Sequence, residues 1–481
     1  MKIFNRRFSM KPQVYFFVVC LCIICFTVSA EEISIDEYLD LVEKNHPFFT
    51  KEDLSAQIEE KEAESLLGAQ DWMLRIEPSY SYLGKASAPE YGAQNRIHQV
   101  GVTAGVNRAL WSTGGQLGLS FSSGYKNSDT YTSITKAFRH GFGVSYTHPF
   151  MQNSKGKLDR LAYELSDYTI DLTEVGALEN KEDFLLDAAT RFLDWVYYTE
   201  AIKIAEERLS LAEEQLEQTT KKFMANLVDK VDVLRAEDSV RISEQVLIQL
   251  ESQWKAKQAE LAVLAVTDEI YERTPLYDLY GLEQLPKKEE AVSTLKAQSR
   301  LLKTFDILKK QLIHQRDGLE EQARAQLDFT VSGGLYGRDE DFMRSLEIYR
   351  PDASVSLVYS KPLGNRTIKA KIEKIDLQIK QIEEDKQSIG VGLEASLASL
   401  FIQITEFEKV LVLNQAQIKS AEEKTKEEIK LYERGRSQLA FVIQSRDNEE
   451  NAKLLYAENA ALYQSLLWQY RALLDVLLGD E

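Results

Sequence analysis

The stretch IHQVGVTAGVNRAL (97–110) sets Val100, Val102, Ala104 and Val106 on one side of an extended chain. It sets Gln99, Gly101, Thr103, Gly105 and Asn107 on the other. Successive side chains of a strand point to opposite faces, so this reads as a strand with one apolar face and one small, polar face. QLGLSFSSGY (116–125), GFGVSYTHPF (141–150), LDFTVSGGLY (327–336) and ASVSLVYSKPL (353–363) repeat the alternation, and residues 76–84, with Tyr80 and Tyr82, do so more weakly. Such a pattern suits a barrel wall, apolar toward lipid and polar toward a lumen lined by Gln99, Thr103 and Asn107. Taken alone, it equally suits a soluble antiparallel sheet with one wet face.

The connections favour the barrel. Three are long and polar (85–97, 126–138, 337–351) and one is tight, Ser112-Thr113-Gly114-Gly115. With the first strand running up from a helix below, the long loops all fall on one side and the tight turn on the other, as outer-membrane barrels arrange theirs.

Around these strands the period changes. Residues 150–274 and 363–481 contain no proline, which permits long uninterrupted helices. Phe184, Ala188, Phe192, Trp195, Tyr198, Ile202, Ala205, Leu209, Ala212 and Leu216 follow one another at spacings of three and four. So do Leu393, Leu397, Leu400, Ile404, Phe407, Leu411, Asn414, Ile418 and Ala421. That seven-residue repeat predicts helices packed side by side as coiled coils, with Asn414 as a register-setting polar residue in the seam. One helix over 153–221 would reach roughly 100 Å.

Two segments that interrupt these helices echo each other. In KKFMANLVDKVDVLRAEDSV (221–240) and KLYERGRSQLAFVIQSRDNE (430–449), Phe223 falls on Tyr432, Asn226 on Gly435, Val233 on Val442 and Asp238 on Asp447. The chain therefore reads as two structural repeats, 31–266 and 291–481, joined by a linker at 267–290. Each runs short helix, strands, long helix, turn, long helix. The first has strands over about 76–150 and a hairpin over 153–266 with its tip near 222–232. The second has strands over about 327–363 and a hairpin over 365–479 with its tip near 431–441. Six strands are expected, with 97–127 as an extra hairpin of the first repeat. Asn226 and Gly435 suit the positive φ that a turn between antiparallel helices needs.

Residues 1–30 read as an export signal: basic Arg6, Arg7 and Lys11, an apolar run from Val14 to Val28, and Val28-Ser29-Ala30 before Glu31. All three cysteines (Cys20, Cys22, Cys25) lie within it. A chain cleaved there has neither disulfides nor thiol chemistry. The net charge of −18 becomes −22 once Lys2, Arg6, Arg7 and Lys11 are removed, which disfavours nucleic-acid binding.

At this point the sequence resembles the TolC-like outer-membrane efflux family (outer membrane factors). The resemblance rests on Glu43-Lys44-Asn45-His46-Pro47, similar to that family's N-x-P motif, on the strand-to-helix passages near Pro149 and Pro362, and on the two turns. It implies an α+β membrane protein and a homotrimer. Strands of a shared transmembrane β-barrel would sit in outer-membrane lipid, and long antiparallel helical hairpins would form a coiled-coil α-barrel tunnel through the periplasm. Its partners would be a periplasmic adaptor (a membrane fusion protein) and an inner-membrane pump of RND, ABC or MFS type. The resemblance makes the chain the exit duct of a tripartite efflux or type I secretion system. The family's usual total is four strands per subunit, so six is a departure. The turns match the family's periplasmic tips, which implies gate and adaptor contact through Asn226, Asp229, Asp232, Tyr432, Arg434, Gly435 and Arg436. A latch would pair Asp232 with Arg436 or with the Tyr432 hydroxyl. Ser437 stands where the family's latch arginine would be. Phe441 and Gln444 stand at the family's acidic constriction.

No catalytic, metal or cofactor constellation emerges. The histidines outside the signal (His46, His98, His140, His148, His314) are scattered, and none is spaced as a helical metal pair. Trp72, Trp195, Trp254 and Trp468 read as helix-packing aromatics. The competing reading is a periplasmic coiled-coil adaptor or structural protein without a transmembrane barrel, which would have no use for the alternating segments.

Overall fold

The computed structural model describes residues 31–84, 94–130 and 134–478, so the expected export signal lies outside the described residues. Nine helices occur among them: α1 (Ile35–Asn45), α2 (Pro47–Leu66), α3 (Lys157–Met224), α4 (Lys230–Leu264), α5 (Lys288–Gln298), α6 (Arg300–Ala323), the short α7 (Phe342–Ser345), α8 (Arg366–Glu433) and α9 (Leu439–Leu473). The strands are β1 (Glu31–Ser34), β2 (Met73–Leu83), β3 (Gln94–Leu110), β4 (Gly115–Thr130), β5 (Ile134–Pro149), β6 (Arg273–Leu276), β7 (Gln326–Asp339) and β8 (Arg350–Ser360).

Both hairpins pair a helix of 68 residues with one of 35. Their boundaries keep one offset, 209 residues (366 less 157): Lys157 to Arg366, Met224 to Glu433, Lys230 to Leu439, Leu264 to Leu473. The heptad pattern explains why the helices run so far. Ala188, Phe192, Trp195, Ala205 and Ala212 are buried on α3, and Leu397, Ile404 and Leu411 on α8. Asn414 is buried in the same seam, and its Oδ1 accepts from Asn459 Nδ2 at 2.9 Å. A polar pair facing across the hairpin fixes its register, because any slip would leave both amides unsatisfied.

The main core lies beyond the inner ends of the strands. Trp195, Phe192, Tyr38 and Tyr463 pack there with residues of α1, α4, α5, α8 and α9. The break between α1 and α2 falls at His46-Pro47. Pro47 cannot donate a backbone N–H, and His46 adopts extended φ/ψ while its Nδ1 accepts from Phe48 N. This turns His46, Phe48 and Phe49 onto Phe184 of α3, and Asn45 Nδ2 caps the carbonyl of Ala265 at the end of α4. The 267–290 segment carries more structure than a linker. It forms a 3-10 turn (Asp268–Glu272), then β6, which pairs in parallel with β1.

All six longer strands form one antiparallel sheet in the order β2-β3-β4-β5-β7-β8. The 97–127 hairpin is therefore part of this sheet. One boundary and one residue role differ from expectation. Residues 126–138, read as a long polar loop, belong to β4 and β5 almost throughout, and only 131–133 lie between them. Trp72 precedes β2 and lies 5.7 Å beneath the Arg108 guanidinium, half exposed, so it is no helix-packing residue. Pro78 and Pro351 fall in β2 and β8, the two edge strands, where a missing N–H is tolerated.

Candidate functional site

The strand register carries the sequence alternation across all six strands. On one face, Ile76, Ala104, Phe121, Phe142, Leu335 and Pro351 align in one row. Leu74, Val106, Leu119, Val144, Gly333 and Ala353 form the next. Ile76, Leu119, Phe142, Val144 and Leu335 are exposed along this apolar face. Rows of small and polar residues line the other: Glu77, Thr103, Ser122, Gly141 and Tyr336, then Arg75, Gly105, Ser120, Gly143 and Gly334.

The polar face is concave. Thr103 and Asn107 line a hollow with Arg75, Glu77, Ser120 and Ser145, and Gln99 shares their face across from Ser81 and Lys126. Glycine here is a condition of curvature. A Cβ on Gly118 would sit 2.7 Å from Ser145 Oγ, and one on Gly334 would sit 2.4 Å from the carbonyl oxygen of Phe142. The hydroxyls pair across strands, Thr147 with Thr330 at 3.0 Å and Ser332 with Ser354 at 2.7 Å. Near the outer end, Arg139 stacks over Tyr336 (4.3 Å) and reaches Asp352 (3.4 Å).

At the inner end of the wall, the strand-to-helix passage is tightly built. Gly114 and Gly156 have φ of 74° and 65°, and a Cβ on either would lie 2.1 Å from a backbone oxygen, of Asn153 and of Trp111 respectively. Asn153 Oδ1 accepts from the free N–H groups of Leu158 and Asp159, capping α3 from a distance.

At the far end of the helices, the two turns are built alike. Asn226 has φ 54°, its N–H reaches Phe223 O (2.9 Å), and Leu227 N reaches Lys222 O (2.9 Å). Gly435 has φ 70°, its N–H reaches Tyr432 O (3.0 Å), and Arg436 N reaches Leu431 O (2.8 Å). Both are Schellman caps, which return the last carbonyls of a long helix to partners when one residue turns left-handed. Asp229 stands at the N-cap of α4, and Arg434 is the C-cap of α8.

The two tips touch through a small cluster of Ala236, Leu439 and Val442, with Tyr432 at its edge. Lys222 Nζ lies 4.2 Å over the Tyr432 ring, and burial raises the Tyr432 phenol above its ordinary value. Within one chain the expected latch pair does not form. Asp232 Oδ1 instead bonds Arg235 one turn along its own helix, at 3.1 Å, because a partner at that spacing is already in reach. Phe441 is exposed, and Gln444 faces an open groove between α4 and α9 with Arg235, Asp238, Ile242 and Ile443.

Sequence reasoning missed a buried ionic knot above the tips. Arg208 of α3, 4% exposed, holds Asp447 of α9 (2.5 Å), donates to Ser239 Oγ of α4 (2.9 Å) and lies 3.6 Å from Glu450. Arg446 donates to the carbonyl of Leu211 beside it, and burial lowers the Arg446 guanidinium and raises the Glu450 carboxyl from their ordinary values. In the sequence Arg208 follows two glutamates and precedes the expected core residue Leu209, so it reads as one more surface charge.

No family model and no curated protein matches the sequence. Among solved structures, the chain is similar to the CmeC outer membrane channel of Campylobacter jejuni, with 12% identity over 92% of this chain and 85% of that one and a TM-score of 0.64. It is similar to the outer membrane protein VceC of Vibrio cholerae, with 10% identity over 92% and 96% and a TM-score of 0.64. The MtrE outer membrane channel of Neisseria gonorrhoeae, in its open state, matches at 12% identity over 92% and 88%, with a TM-score of 0.59. The chain has the fold of these outer-membrane channels. The α+β architecture expected from the TolC-like resemblance, with long helical hairpins beneath a two-faced antiparallel sheet, is the one found. The matches cover nearly all of an outer-membrane channel chain at identities too low for a sequence match, so the shared feature is the architecture.

Proposed function

We propose that three copies of this chain form the exit duct of a tripartite efflux or type I secretion system. The duct conducts substrates passively across the periplasm and the outer membrane. The observation that carries this reading is an incomplete wall: a curved six-stranded sheet with its apolar face outward and two open edges, β2 and β8, exposed along their whole length. In hydrocarbon every backbone N–H and C=O needs a partner, so such edges demand further copies and closure. A trimer gives ~18 strands.

The helical hairpins fit the same assembly. On α8, Ile402, Val412 and Leu413 stay exposed in the single chain, as expected of helices that meet a neighbouring copy in a tunnel. The constant offset between the hairpins supports an origin of both halves by internal duplication, with units 31–266 and 291–481. Residues 1–30 would be cleaved on export.

The tips would be the periplasmic end, where Asn226, Asp229, Asp232, Tyr432, Arg434, Gly435 and Arg436 meet a periplasmic adaptor that links the duct to an inner-membrane pump. The latch between Asp232 and Arg436 or Tyr432 would form between copies. Phe441 and Gln444 would set the width of the constriction. Energy would come from the pump, and the chain itself would catalyse nothing.

The reading is tested by fractionation. The protein should partition with outer membranes and run as a heat-sensitive trimer. Detergent-free release of a monomer would overturn it.

A further inference from the structure

The connection between β7 and β8 bears a surface that the channel reading does not use. Residues 340–349, which include α7, fold back over the sheet instead of projecting from its end. A Cβ on Gly337 would lie 2.1 Å from the carbonyl oxygen of Ser345 and 2.7 Å from that of Glu347. Gly337 pairs in register with His140, two residues from the Phe142–Leu335 pair, so this flap covers the apolar outside of the wall and not the lumen.

The flap is docked there. Ser345 and His140 are 0% and 2% exposed, and Phe342 stands edge-on to Phe138 (5.4 Å) and His140 (5.0 Å). Its capping is complete, because Asp341 Oδ1 accepts from the N–H groups of Met343 and Arg344. With its inner side so occupied, the flap turns a second apolar set outward: Met343 at 70%, Leu346 at 43% and Tyr349 at 63% exposure. Arg344, Glu347 and Arg350 stand among them, also exposed.

Three observations say what covers this patch. It is seated on the same apolar face of the sheet as Phe142 and Leu335. It lies on the face of the sheet over Phe138 and His140 of β5, not along the open hydrogen-bonding edge of β2 or β8 where another copy would join. Its mixture of apolar side chains with close charged neighbours matches elements that lie in the boundary between headgroups and acyl chains. We propose that the flap is an interfacial anchor, which plants Met343, Leu346 and Tyr349 in the outer leaflet and fixes how deep the barrel sits. This rests on the barrel reading above.

The test places an environment-sensitive fluorophore on Met343→Cys or, separately, on Ile76→Cys in mid-band. Both are made in the exported chain, which loses Cys20, Cys22 and Cys25 with residues 1–30, and reconstituted in phosphatidylcholine vesicles containing lipid-borne quenchers. The Ile76 probe should be quenched from the acyl chains. The Met343 probe should be quenched severalfold better from the headgroup level than by aqueous iodide, in keeping with a depth of about 5–10 Å. A lipid-quenched Ile76 probe together with a Met343 probe open to iodide would overturn the anchor and leave the barrel standing. Two probes open to iodide would overturn both. Gly337→Val should lift the flap, raising iodide quenching at Met343 severalfold with Ile76 unchanged. A Met343 signal that ignores this substitution would contradict the docked geometry.

Discussion

Arg208 on α3 and Asp447 on α9 form a 2.5 Å ion pair in which the guanidinium is almost wholly withdrawn from water, and this pair ties the first helical hairpin to the second. Truncating one partner of a buried pair strands the other charge, typically at a cost of about 3–5 kcal/mol. Asp447→Ala strands the buried Arg208 guanidinium and should therefore lower the thermal midpoint of the detergent-solubilised protein by several degrees, whereas Arg208→Ala leaves a half-exposed Asp447 that water can solvate and should cost less. The double variant with Asp447→Ala should lose less than the sum of the two single ones. Additive losses would show that the two groups are not coupled.

The neighbouring Glu450 supplies a pH dependence. Burial raises its carboxyl above the ordinary glutamate value, with Arg208 pulling the other way. The folded chain then holds a proton that the unfolded chain has already lost. The stabilisation is thus complete below about pH 4.3 and is lost as pH rises through the raised value. Glu450→Gln should flatten the slope of thermal midpoint against pH over that interval. An unchanged slope would assign the dependence to other carboxylates.

The two tips predict different responses to substitution at their positive-φ residues. Asn226 and Gly435 both have positive φ, which costs an ordinary L-residue roughly 1–2 kcal/mol. Gly435→Ala should destabilise by about that amount, whereas Asn226→Gly should be neutral or slightly stabilising. Differential scanning calorimetry of the two variants separates these outcomes, since a destabilising Asn226→Gly would mean that the asparagine side chain itself matters.

Curvature of the wall gives a further prediction. Gly334→Ala places a methyl 2.4 Å from the Phe142 carbonyl oxygen, so the sheet must open there. The heat-sensitive band on gels should fall sharply in this variant. Ser354→Ala on the same face should be almost silent, because it removes one hydroxyl pair at a half-wet surface.

How legible all this was in the sequence depends on the physics that each feature obeys. The two-faced sheet is legible because an apolar and a polar surrounding impose opposite chemistry on alternate residues, as at Val100 to Val106. The long helices were visible because knobs must recur every three or four residues, from Ala188 to Ala212 and Leu397 to Leu411. Strand ends were not visible. Lys126 to Thr130 and Ile134 to Phe138 extend β4 and β5 into a stretch where the alternation gives way to a polar run. Arg208 was hidden because its buried state depends on Asp447 and Ser239, brought together only by the packing of three helices. The Asp232–Arg235 pair within one chain is legible from spacing alone, because residues three apart on a helix are neighbours.

The central claim is that copies of this chain enclose a water-filled passage through a bilayer. Reconstituting the purified protein in a planar lipid bilayer and recording single-channel current tests it most directly. The account predicts discrete conductance steps with a preference for cations, in keeping with the net charge of −22 left when the four basic residues of 1–30 are removed from a chain of −18. A silent bilayer at protein densities that give incorporated trimers would contradict it, and anion-selective steps would contradict the charge argument alone.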